Sequence, residues 1–597
     1  MNNPNQDRLV ALDYETYYGR DLSVKLQGPV QYAAQTQIFL VGVYAPTLNI
    51  EYVGPPGEAP WEALCSLHWV SHHAGFDSVV HAAAVRRGLI PPVWPQDWDC
   101  SADLCAYLGL GRSLKEAVKN SFGEVLDKTC RDRAGNRYWP DEQHRVPGYK
   151  LITPVMQQTF LEYTLQDAWA SYRLWDKWHD QWPAHEREFS KLLRWRNSQG
   201  ISIDVPRLNE FFALLTLKVK EAREKIPWED PPLSRARLLT WCNEQGIESP
   251  ASTAETNDDA EKWLRQYGEK FPVIGWLRDY RKLTRRLTIL GAIERRLMPG
   301  GRMNFSLKYH GAGNTGRLSG SDGLNMQNLN RDEADGVDLR SVFMAAPGQV
   351  FVIADFAQVE PRVLAWVCKD KRLLELLKTG VSFYEVDAQL AGVWKGEPGT
   401  FKREKKLYQL QKAQSLGLGY GMGPKRFIET AKGQLGLEFS LEEACRIREA
   451  WHARYPAVRR LWSTLERAMW RASTLQEPFR IRLPSGRFLS YFDLKRESDG
   501  KISAATTMNG TRRQFYWGGV LVENVVQAIA RDLLVEAILR LENAGIPVVF
   551  SAHDEVVCEV PIGFQASQIL SLMVEPPGWA ADLPLSADKI VSTHYCK

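Results

Sequence analysis

The chain has 597 residues, of which 44% are hydrophobic and 24% are charged, and its formal net charge is +4. One hydrophobic core does not serve that length, so we expect two or more soluble, globular domains. Nine cysteines without a Cys-x-x-Cys pair argue against a structural zinc site or a disulfide framework and favour a reducing cytoplasm. The polar N-terminus has no signal-peptide core and no apolar run is long enough to span a membrane, so we expect no membrane partner.

The first predicted element is a buried strand that ends in two acids. Its apolar run, residues 9–12, is followed by Asp13 and, two residues on, by Glu15. Because side chains alternate along a strand, Asp13 and Glu15 lie on the same side. Two further acids follow in the first third of the chain, Asp77 and, within a Trp-rich helical stretch, Asp167.

These four carboxylates could form a catalytic metal site. Together they could hold two divalent ions about 3.5–4 Å apart, one generating hydroxide and the other stabilising the leaving oxygen. Tyr163 precedes Asp167 by four residues, so the two share a helix face and Tyr163 could orient the attacking water. The polar segment 120–154, rich in Gly, Pro and charges, is predicted to be a long loop or flexible arm near this cleft.

The N-terminal arrangement resembles the 3′–5′ proofreading exonuclease domain of the DEDD superfamily, Tyr subtype. The usual Asn four residues before the second-motif acid is replaced here by His73. An imidazole can still donate a hydrogen bond, so the resemblance implies an exonuclease that keeps its activity, with an activity weakened by this replacement as an alternative. A domain that has lost cutting and only braces the rest of the molecule is the alternative interpretation.

Local charge indicates a nucleic-acid partner, although the net charge is small. Eight Lys and Arg residues lie within residues 278–302, and seven lie within residues 402–426. Basic stretches of this kind follow phosphate backbones. A solvated helix face is the alternative for either stretch taken alone.

Two acidic signatures of the second half each follow an apolar strand pattern. Asp355 ends the run at 350–354, and the triplet 553–555, His-Asp-Glu, follows the run at 548–552. Carboxylates at the ends of two distant strands can meet at one metal site. Singly, the first is also typical of a turn or cap and the second of a plain hairpin turn.

Between the acidic signatures, Lys412 precedes three glycines on a helix-like stretch that ends at Gly421. A lysine in this position could hold a polyphosphate, whereas a Gly-rich helix end alone could be a packing device. The order of acid, lysine helix and acid therefore points to nucleotidyl transfer.

These motifs resemble those of family A DNA polymerases, the group of bacterial DNA polymerase I, and more closely its bacteriophage branch. The resemblance covers almost the whole chain. Its segments are motif A at 355–362, motif B at 412–421, motif C at 553–555, a primer-template contact region at 315–328 and a phage-type pattern at 523–532.

The resemblance implies a mixed α/β (α+β) fold with two domains. An RNase H-like exonuclease domain would occupy residues 1–185, and a right-hand polymerase domain would occupy 186–597. Within the latter, the expected divisions are the thumb at about 190–302, the palm at about 303–370 and 480–597, and the fingers at about 371–479. The palm should be an antiparallel sheet with flanking helices.

The same resemblance assigns the polymerase metal site to Asp355, Asp554 and the carbonyl of Phe356. Glu555 is supportive in the family, and His553 is expected at the primer end. Two Mg²⁺ or Mn²⁺ ions are expected at this site and two at the exonuclease site, where the ligands are Asp13, Glu15, Asp77 and Asp167.

The nucleotide pocket is assigned by resemblance as well. Lys412 should meet the triphosphate, and Glu360 with Tyr420 should close the space under the sugar 2′ position, unless Glu360 forms a surface salt bridge with Arg362. Lys405 could replace the charge of the family's usual Arg, which is Tyr408 here. The other members of this predicted pocket are Gln358 and Leu416, the latter standing where the family has an aromatic residue.

Contacts to the primer-template minor groove are expected from polar side chains that read the shape of the base pair. The expected residues are Arg317, Gln327, Asn328, Arg331 and Gln527. A predicted hairpin turn at 483–487 would present Arg487 to DNA.

These features predict a DNA-templated DNA polymerase that extends a primer with dNTPs and proofreads, without a 5′-nuclease domain. The expected setting is phage genome replication in the cytoplasm of an infected bacterial host cell, as a monomer beside helicase, primase and single-strand binding protein. A single-subunit RNA polymerase and a reverse transcriptase are disfavoured by Glu360, motif B and the exonuclease motifs. An inactive DNA-binding scaffold is disfavoured by the retained acids and Lys412.

Overall fold

The computed structural model describes residues 8–253, 258–329, 333–498 and 500–596. Arg331, one of the predicted DNA contacts, lies outside the described residues. Helices and strands are both abundant, which confirms the mixed α/β prediction.

The first elements form a five-stranded sheet with helices around it. Its strands are β1 (Leu9–Thr16), β2 (Ile38–Ala45), β3 (Ile50–Gly54), β4 (His68–Ser71) and β5 (Asp97–Cys100). The helices of this half are α1 (Val24–Gln35), α2 (Trp61–Leu64), α3 (Ala74–Arg86), α4 (Ser101–Tyr107), α5 (Leu114–Phe122), α6 (Thr129–Ala134) and α7 (Pro154–Trp178). The strand order is β3-β2-β1-β4-β5, with β1 antiparallel to β2 and parallel to β4.

Gly42 allows α7 to lie directly on this sheet. Gly42 pairs with Asp13 across β1 and β2. A Cβ atom at Gly42 would stand only 2.6 Å from the carbonyl oxygen of Thr164 on α7, so any larger residue would push the helix away. The close approach brings Tyr163 and Asp167 next to the strand that carries Asp13.

The middle of the chain is mainly helical. Its helices are α8 (Ala184–Gln199), α9 (Val205–Glu224), α10 (Arg235–Glu244), α11 (Asp258–Tyr267) and α12 (Val273–Glu294). Its short strands are β6 (Ile201–Ile203), β7 (Arg302–Met303), β8 (Leu307–Lys308), β9 (Ser319–Gly320) and β10 (Phe343–Met344). Helices α9 and α12 pack along each other, and β6 lies between β10 and β7.

The last 250 residues hold a second large sheet and a helical region between its strands. The first part comprises β11 (Gln349–Phe356), α13 (Val359–Val367), α14 (Lys371–Lys378), α15 (Phe383–Leu390), α16 (Lys405–Leu418), α17 (Pro424–Leu435), α18 (Leu441–Arg454) and α19 (Pro456–Leu475). The second part comprises β12 (Phe479–Arg482), β13 (Phe488–Arg496), β14 (Ile502–Ala505), β15 (Gln514–Tyr516), α20 (Gly518–Asn543), β16 (Val548–Ala552), β17 (Glu555–Pro561), α21 (Ser567–Val574) and β18 (Ala587–Ser592).

Strands β16, β17, β11 and β18 form an antiparallel sheet in that order, as the sequence predicts for the palm. Helices α20 and α21 pack against it, and most of α20 is buried. Strands β12 to β15 form a separate antiparallel sheet. Among the described residues, none of the helices is both long enough and apolar enough to cross a membrane.

Segment 120–154 is more ordered than the predicted loop or flexible arm. It contains α6, and its Cys130 and Ile152 are buried with Phe160 against the first sheet. Tyr138 stacks on Tyr17 with ring centroids 3.7 Å apart. The polar composition suggested an open loop, but a few apolar and aromatic side chains fix this segment to the domain.

A buried ion pair joins α8 to α20. Glu186 and Arg531 are only 2% and 3% exposed, and the Arg531 guanidinium donates to both carboxylate oxygens of Glu186. The Tyr309 hydroxyl donates to Glu186 at 2.7 Å. Burial alone would raise the pKa of Glu186, but Arg531, then Arg487 and Tyr309, outweigh it and lower the pKa to about 2.

Replacing Glu186 by Gln should strongly destabilise the protein. Arg531 would remain buried without its counter-ion, so we expect the free energy of unfolding to fall by about 3–5 kcal/mol. Denaturant titration followed by tryptophan fluorescence measures this loss. The control is Glu375→Gln, which breaks the exposed Glu375–Lys378 pair and should change stability by no more than about 0.5 kcal/mol. Equal stability of the two variants would contradict the role of the buried pair.

Candidate active sites

The predicted polymerase metal ligands meet at one end of the C-terminal sheet. Asp355, at the end of β11, pairs with Glu555 on β17 and with Asp588 on β18. The backbone N–H of Phe356 donates to the carbonyl oxygen of Asp554 at 3.1 Å. The structure therefore brings Asp355, Phe356 and Asp554 together, although they are almost 200 residues apart in the chain.

Motif C is a tight turn between β16 and β17. His553 has a φ of 58°, in the left-handed region, and its side chain is exposed. Glu555 is 2% exposed instead and accepts a hydrogen bond from the Tyr595 hydroxyl at 2.7 Å. The predicted hairpin turn and the predicted clustering of acids are thus both present, and Glu555 is held on the buried side.

Glu360, on α13, lies between two partners. Arg317 donates to its carboxylate at 2.5 Å, and the Tyr420 hydroxyl lies 3.4 Å from its other oxygen. Burial and the Glu360 charge raise the pKa of Tyr420 well above its ordinary value. The expected proximity of Glu360 and Tyr420 is therefore found.

The alternative salt bridge between Glu360 and Arg362 is wrong. Arg362 is 2% exposed and donates to the backbone carbonyls of Ala357 and Pro584 at 2.9 and 3.0 Å. A residue three or four positions after Glu360 would share its helix face, but the two-residue spacing turns Arg362 towards the core.

Helix α16 exposes its two predicted phosphate contacts. Lys405 and Lys412 are both exposed, whereas Leu416 is half-buried. Tyr408 packs edge-on against Tyr384, with ring centroids 5.3 Å apart. The lysines are thus available to an anion, while Tyr408 belongs to the helix packing.

Gln358 has a structural contact that the sequence did not predict. It precedes α13 with a φ of 54°, and its side-chain oxygen accepts a hydrogen bond from the backbone N–H of Phe383 at 2.6 Å. This predicted nucleotide-pocket residue therefore holds the start of α15 against α13.

The predicted DNA contacts line two cavities. Gln327, Asn328 and His553 line one of about 590 Å³. Arg317 and Gln527 line another of about 800 Å³. The second cavity is also bordered by basic side chains, among them Arg112, Lys308 and Arg512, and by the aromatic side chains of Tyr107, Phe488 and Tyr516. Such a mixture suits a nucleic-acid strand.

Arg487 is a correction to the sequence prediction. Residues 483–487 do form a turn, between β12 and β13, but Arg487 is 3% exposed. Its guanidinium donates to Asp532 at 2.9 Å and to the carbonyl oxygen of Ala528 at 3.0 Å. Arg487 is therefore not presented to DNA, because a buried carboxylate on α20 holds it inside the protein.

The four N-terminal carboxylates also converge. Asp13 and Glu15 lie on β1, Asp77 lies in the first turn of α3 and Asp167 lies on α7. The Tyr14 backbone N–H donates to Asp77 at 3.3 Å, which ties α3 to the strand. Burial, then the charges of Asp167, Glu15 and Asp77, raise the pKa of Asp13 well above its ordinary value, so Asp13 interacts with each of the other three carboxylates.

This cluster fits a divalent cation. Burial raises the pKa of Glu15 to about 7 and that of Asp77 to about 8. The Oδ1 atom of Asp167 is buried and has no hydrogen-bond partner in the part of the chain that the structure describes. Desolvated carboxylate oxygens are the ligands that Mg²⁺ and Mn²⁺ prefer.

Lys128 is a member of this site that the sequence analysis missed. Its ammonium group bonds to Asp167 and lies 3.3 Å from the hydroxyl oxygen of Tyr163. Only the position of segment 120–154 near the cleft hinted at such a contact. His73, the predicted substitute for Asn, is exposed just before α3 and lines a cavity of about 290 Å³ with Asp103 and Arg112.

A separate acidic group is an ion-pair cluster. Among the described residues, His68, Asp97 and Asp99 have ligand atoms within 4.8 Å of one another. Arg187 and Lys191, from α8, already bond to these carboxylates. These two cations neutralise the carboxylates, so we interpret the cluster as a structural contact that holds α8 against β5.

Comparison with known proteins shows that this chain is similar to DNA polymerases. The profile of DNA polymerase family A matches residues 240–576. The DNA polymerase of Bacillus phage SP02 is 26% identical over 568 residues, covering 84% of this chain and 86% of the phage protein. DNA polymerase I of Aquifex aeolicus is 29% identical over 430 residues, covering 69% of this chain and 66% of that protein.

A solved structure gives the same result for the fold. The POL domain of Pol1 from M. smegmatis, in complex with DNA primer-template and dNTP, superposes with a TM-score of 0.68 at 17% identity. The match covers 99% of this chain and 96% of that chain. The predicted family is confirmed: the chain belongs to DNA polymerase family A.

Proposed function

We propose that this chain is a DNA-templated DNA polymerase that extends a primer 3′ end with dNTPs by two-metal-ion nucleotidyl transfer. The observation that carries the proposal is the meeting of Asp355 and Asp554 at one end of the C-terminal sheet. The exposed Lys412 on α16 offers the charge that a triphosphate needs.

We further propose a 3′–5′ exonuclease at the four N-terminal carboxylates. Two observations support a metal-dependent hydrolytic site. The other three carboxylates raise the pKa of Asp13, and the buried Oδ1 oxygen of Asp167 has no hydrogen-bond partner among the described residues. Tyr163 is positioned on the same helix face as Asp167 to orient a water molecule. The domain division follows: exonuclease at 1–185, and thumb, palm and fingers within 186–597, with the boundaries given above.

Divalent ions fit both sites, and family A polymerases use them. Asp13, Glu15, Asp77 and Asp167 would hold them at one site, and Asp355, Asp554 and the Phe356 carbonyl at the other. When bound, Mg²⁺ or Mn²⁺ supplies activation of the attacking hydroxyl and neutralises phosphate charge.

The chain's own residues would select and place the substrates. Lys412 and Lys405 would bind the triphosphate, and His553 would lie at the primer end. Glu360, fixed by Arg317 and facing Tyr420, would leave no space for a 2′-hydroxyl. Primer-template contacts would come from the residues around the two cavities, Arg317, Gln327, Asn328 and Gln527.

The similar phage polymerase supports a role in phage genome replication within a host cell. The similar solved POL domain is a complex with DNA primer-template and dNTP, which supports the same partners here. A monomer that works beside helicase, primase and single-strand binding protein completes the proposal.

Separate inactivation of the two sites should separate the two activities. Asp355→Ala should lower primer extension by about three orders of magnitude or more, because metal binding at the transferring phosphate is lost. Asp13→Ala should extend normally but no longer shorten a labelled primer when dNTPs are withheld. Gel analysis of primer length with Mg²⁺ measures both. Undiminished extension by Asp355→Ala would show that the polymerase site is misassigned.

Glu360→Ala should weaken the exclusion of ribonucleotides. Removal of the carboxylate opens the space beside Tyr420, so we expect the preference for dNTP over rNTP to fall about tenfold to a hundredfold. Single-nucleotide incorporation kinetics give the ratio of kcat/KM values. Glu449→Ala, on the exposed face of α18, is the matched control and should keep the wild-type preference. An unchanged ratio in Glu360→Ala would refute the assignment.

The carboxylate cluster should make stability depend on pH when metal is removed. The folded pKa values of Glu15 and Asp77, about 7 and about 8, exceed the ordinary values of 4.5 and 3.8. The folded protein therefore retains protons that the unfolded chain has lost, and its stability in EDTA should fall as the pH rises from about 5 to about 8. Mg²⁺ at pH 8 should restore it.

Thermal unfolding at several pH values tests this dependence. Asp77→Asn cannot ionise at that position, so its stability should fall less steeply with pH in EDTA than that of the wild type. Parallel curves for the two proteins would contradict the assigned pKa values.

A further inference from the structure

Residues 124–152, called the cover segment here, bring the Lys128 ammonium into contact with the proposed exonuclease site. The Lys128 ammonium bonds to Oδ2 of Asp167 and lies 3.3 Å from the Tyr163 hydroxyl oxygen. It also lies 4.5 Å from the centroid of the Tyr163 ring, a cation–π distance. Lys128 thus contacts both functional side chains of α7.

The cover segment holds Lys128 in this position from both sides. Leu126 is buried with Ala170 and Leu174 of α7. Cys130 is buried with Phe160 and Tyr163. The Asp127 carboxylate accepts a hydrogen bond from the backbone N–H of Thr129 at 2.9 Å, which holds the chain in place where α6 begins. The ammonium is therefore anchored, and its side chain is only 25% exposed.

Lys128 and a divalent ion need the same carboxylate. Oδ2 of Asp167 is bonded to Lys128, while the buried Oδ1 has no hydrogen-bond partner among the described residues. A metal ion held by Asp167 would be a second positive centre beside the ammonium. Two cations at such a distance repel each other strongly where water is scarce.

The charge of Lys128 acts on most of the cluster. Against the rise that burial causes, Lys128 lowers the pKa of Asp13, Glu15 and Asp167. Arg131, exposed one turn further along α6, lowers the pKa of Glu15 more than Lys128 does, and it also lowers the pKa values of Asp77 and Asp167. The cover segment thus partly neutralises carboxylates that would otherwise depend wholly on metal.

We propose that Lys128 is an internal counter-ion of this site that competes with a divalent metal ion for Asp167 and so sets the metal concentration at which the site works. The inference rests on the proposed exonuclease function. It assigns a role to a segment for which the sequence alone suggested none, and it makes Lys128 a positioning residue that acts through Asp167.

The direct test is metal binding, which needs no catalytic activity. The full chain carrying Asp355→Ala and Asp554→Ala removes binding at the polymerase site, and electron paramagnetic resonance of free Mn²⁺ then reports the N-terminal site. Lys128→Met keeps the long apolar stem over Tyr163 and removes the charge. Lys128→Arg keeps the charge, and Lys119→Ala removes a positive charge from the exposed surface of α5.

We expect Lys128→Met to bind Mn²⁺ about tenfold more tightly, as loss of a nearby like charge predicts. Lys128→Arg and Lys119→Ala should stay within about twofold of the parent, the latter because solvent screens a distant exposed charge. Unchanged or weaker Mn²⁺ binding by Lys128→Met would overturn the proposal. Asp167→Asn should abolish the binding, and if it does not, the measured site is a different one and the proposal fails.

Primer shortening with otherwise unsubstituted protein adds a second readout. Lys128→Met should reach half its maximal rate at a lower Mg²⁺ concentration than the wild type does. Loss of shortening at saturating Mg²⁺ with unchanged Mn²⁺ binding would overturn the proposal and make Lys128 a substrate-binding residue. Absence of shortening in the wild type, with tighter Mn²⁺ binding by Lys128→Met, would refute the exonuclease while upholding the competition.

Discussion

The Glu186–Arg531 ion pair joins the two halves of the chain inside the protein. Glu186 is on α8, which follows the N-terminal sheet, and Arg531 is on α20, the long helix behind the C-terminal sheet. Both charges are nearly inaccessible to water, so either one alone would be very unfavourable. Arg187 and Lys191 of α8 bond in turn to a carboxylate of β5, so the N-terminal sheet is connected to α20 through α8.

Hydrogen bonds extend this interaction into a network. Arg531 also bonds to the carbonyl oxygen of Gly316, in the predicted primer-template segment, at 3.1 Å. Asp532 holds Arg487 and the hydroxyl of Ser485, at 2.9 and 2.5 Å. A second pair, Arg196 with Glu542, lies further along α8 and α20 at 2.6 Å. These hydrogen bonds orient the neighbouring segments relative to α20.

In the N-terminal candidate site, unlike in this network, the negative charges are not matched by an equal number of positive charges. At the N-terminal site, carboxylates crowd together with fewer cations than their charges require, and the pKa values of Asp13, Glu15, Asp77 and Asp167 are all raised. Perturbation of this kind, in a cleft, is typical of sites that bind metal or perform catalysis. Lys128 offsets part of this negative charge through its contact with Asp167.

Local patterns in the sequence predicted much of this architecture. The apolar runs that end at Asp13 and Asp355 are the strands β1 and β11, and the four-residue spacing placed Tyr163 and Asp167 on one helix face. These inferences succeeded because strand alternation and helix periodicity are properties of neighbouring residues. The family resemblance supplied the pairing of Asp355 with Asp554, which no local pattern contains.

The sequence could not predict which distant partner a charged side chain selects. Arg487 stands in a turn, where an exposed arginine is the ordinary expectation, but Asp532 of α20 draws it into the interior. Glu360 pairs with Arg317, 43 residues before it, rather than with nearby Arg362. Lys128 is one lysine in a polar segment, and only the packing of Leu126 and Cys130 directs it to Asp167. Each outcome depends on tertiary packing.

The central claim is that one chain holds two metal sites made of these particular carboxylates. Crystals of the full chain soaked in Mn²⁺ and measured at the manganese absorption edge test it most directly. Anomalous peaks should lie among Asp13, Glu15, Asp77 and Asp167, and between Asp355 and Asp554. A structure with manganese at neither position, or only at His68, Asp97 and Asp99, would contradict the account.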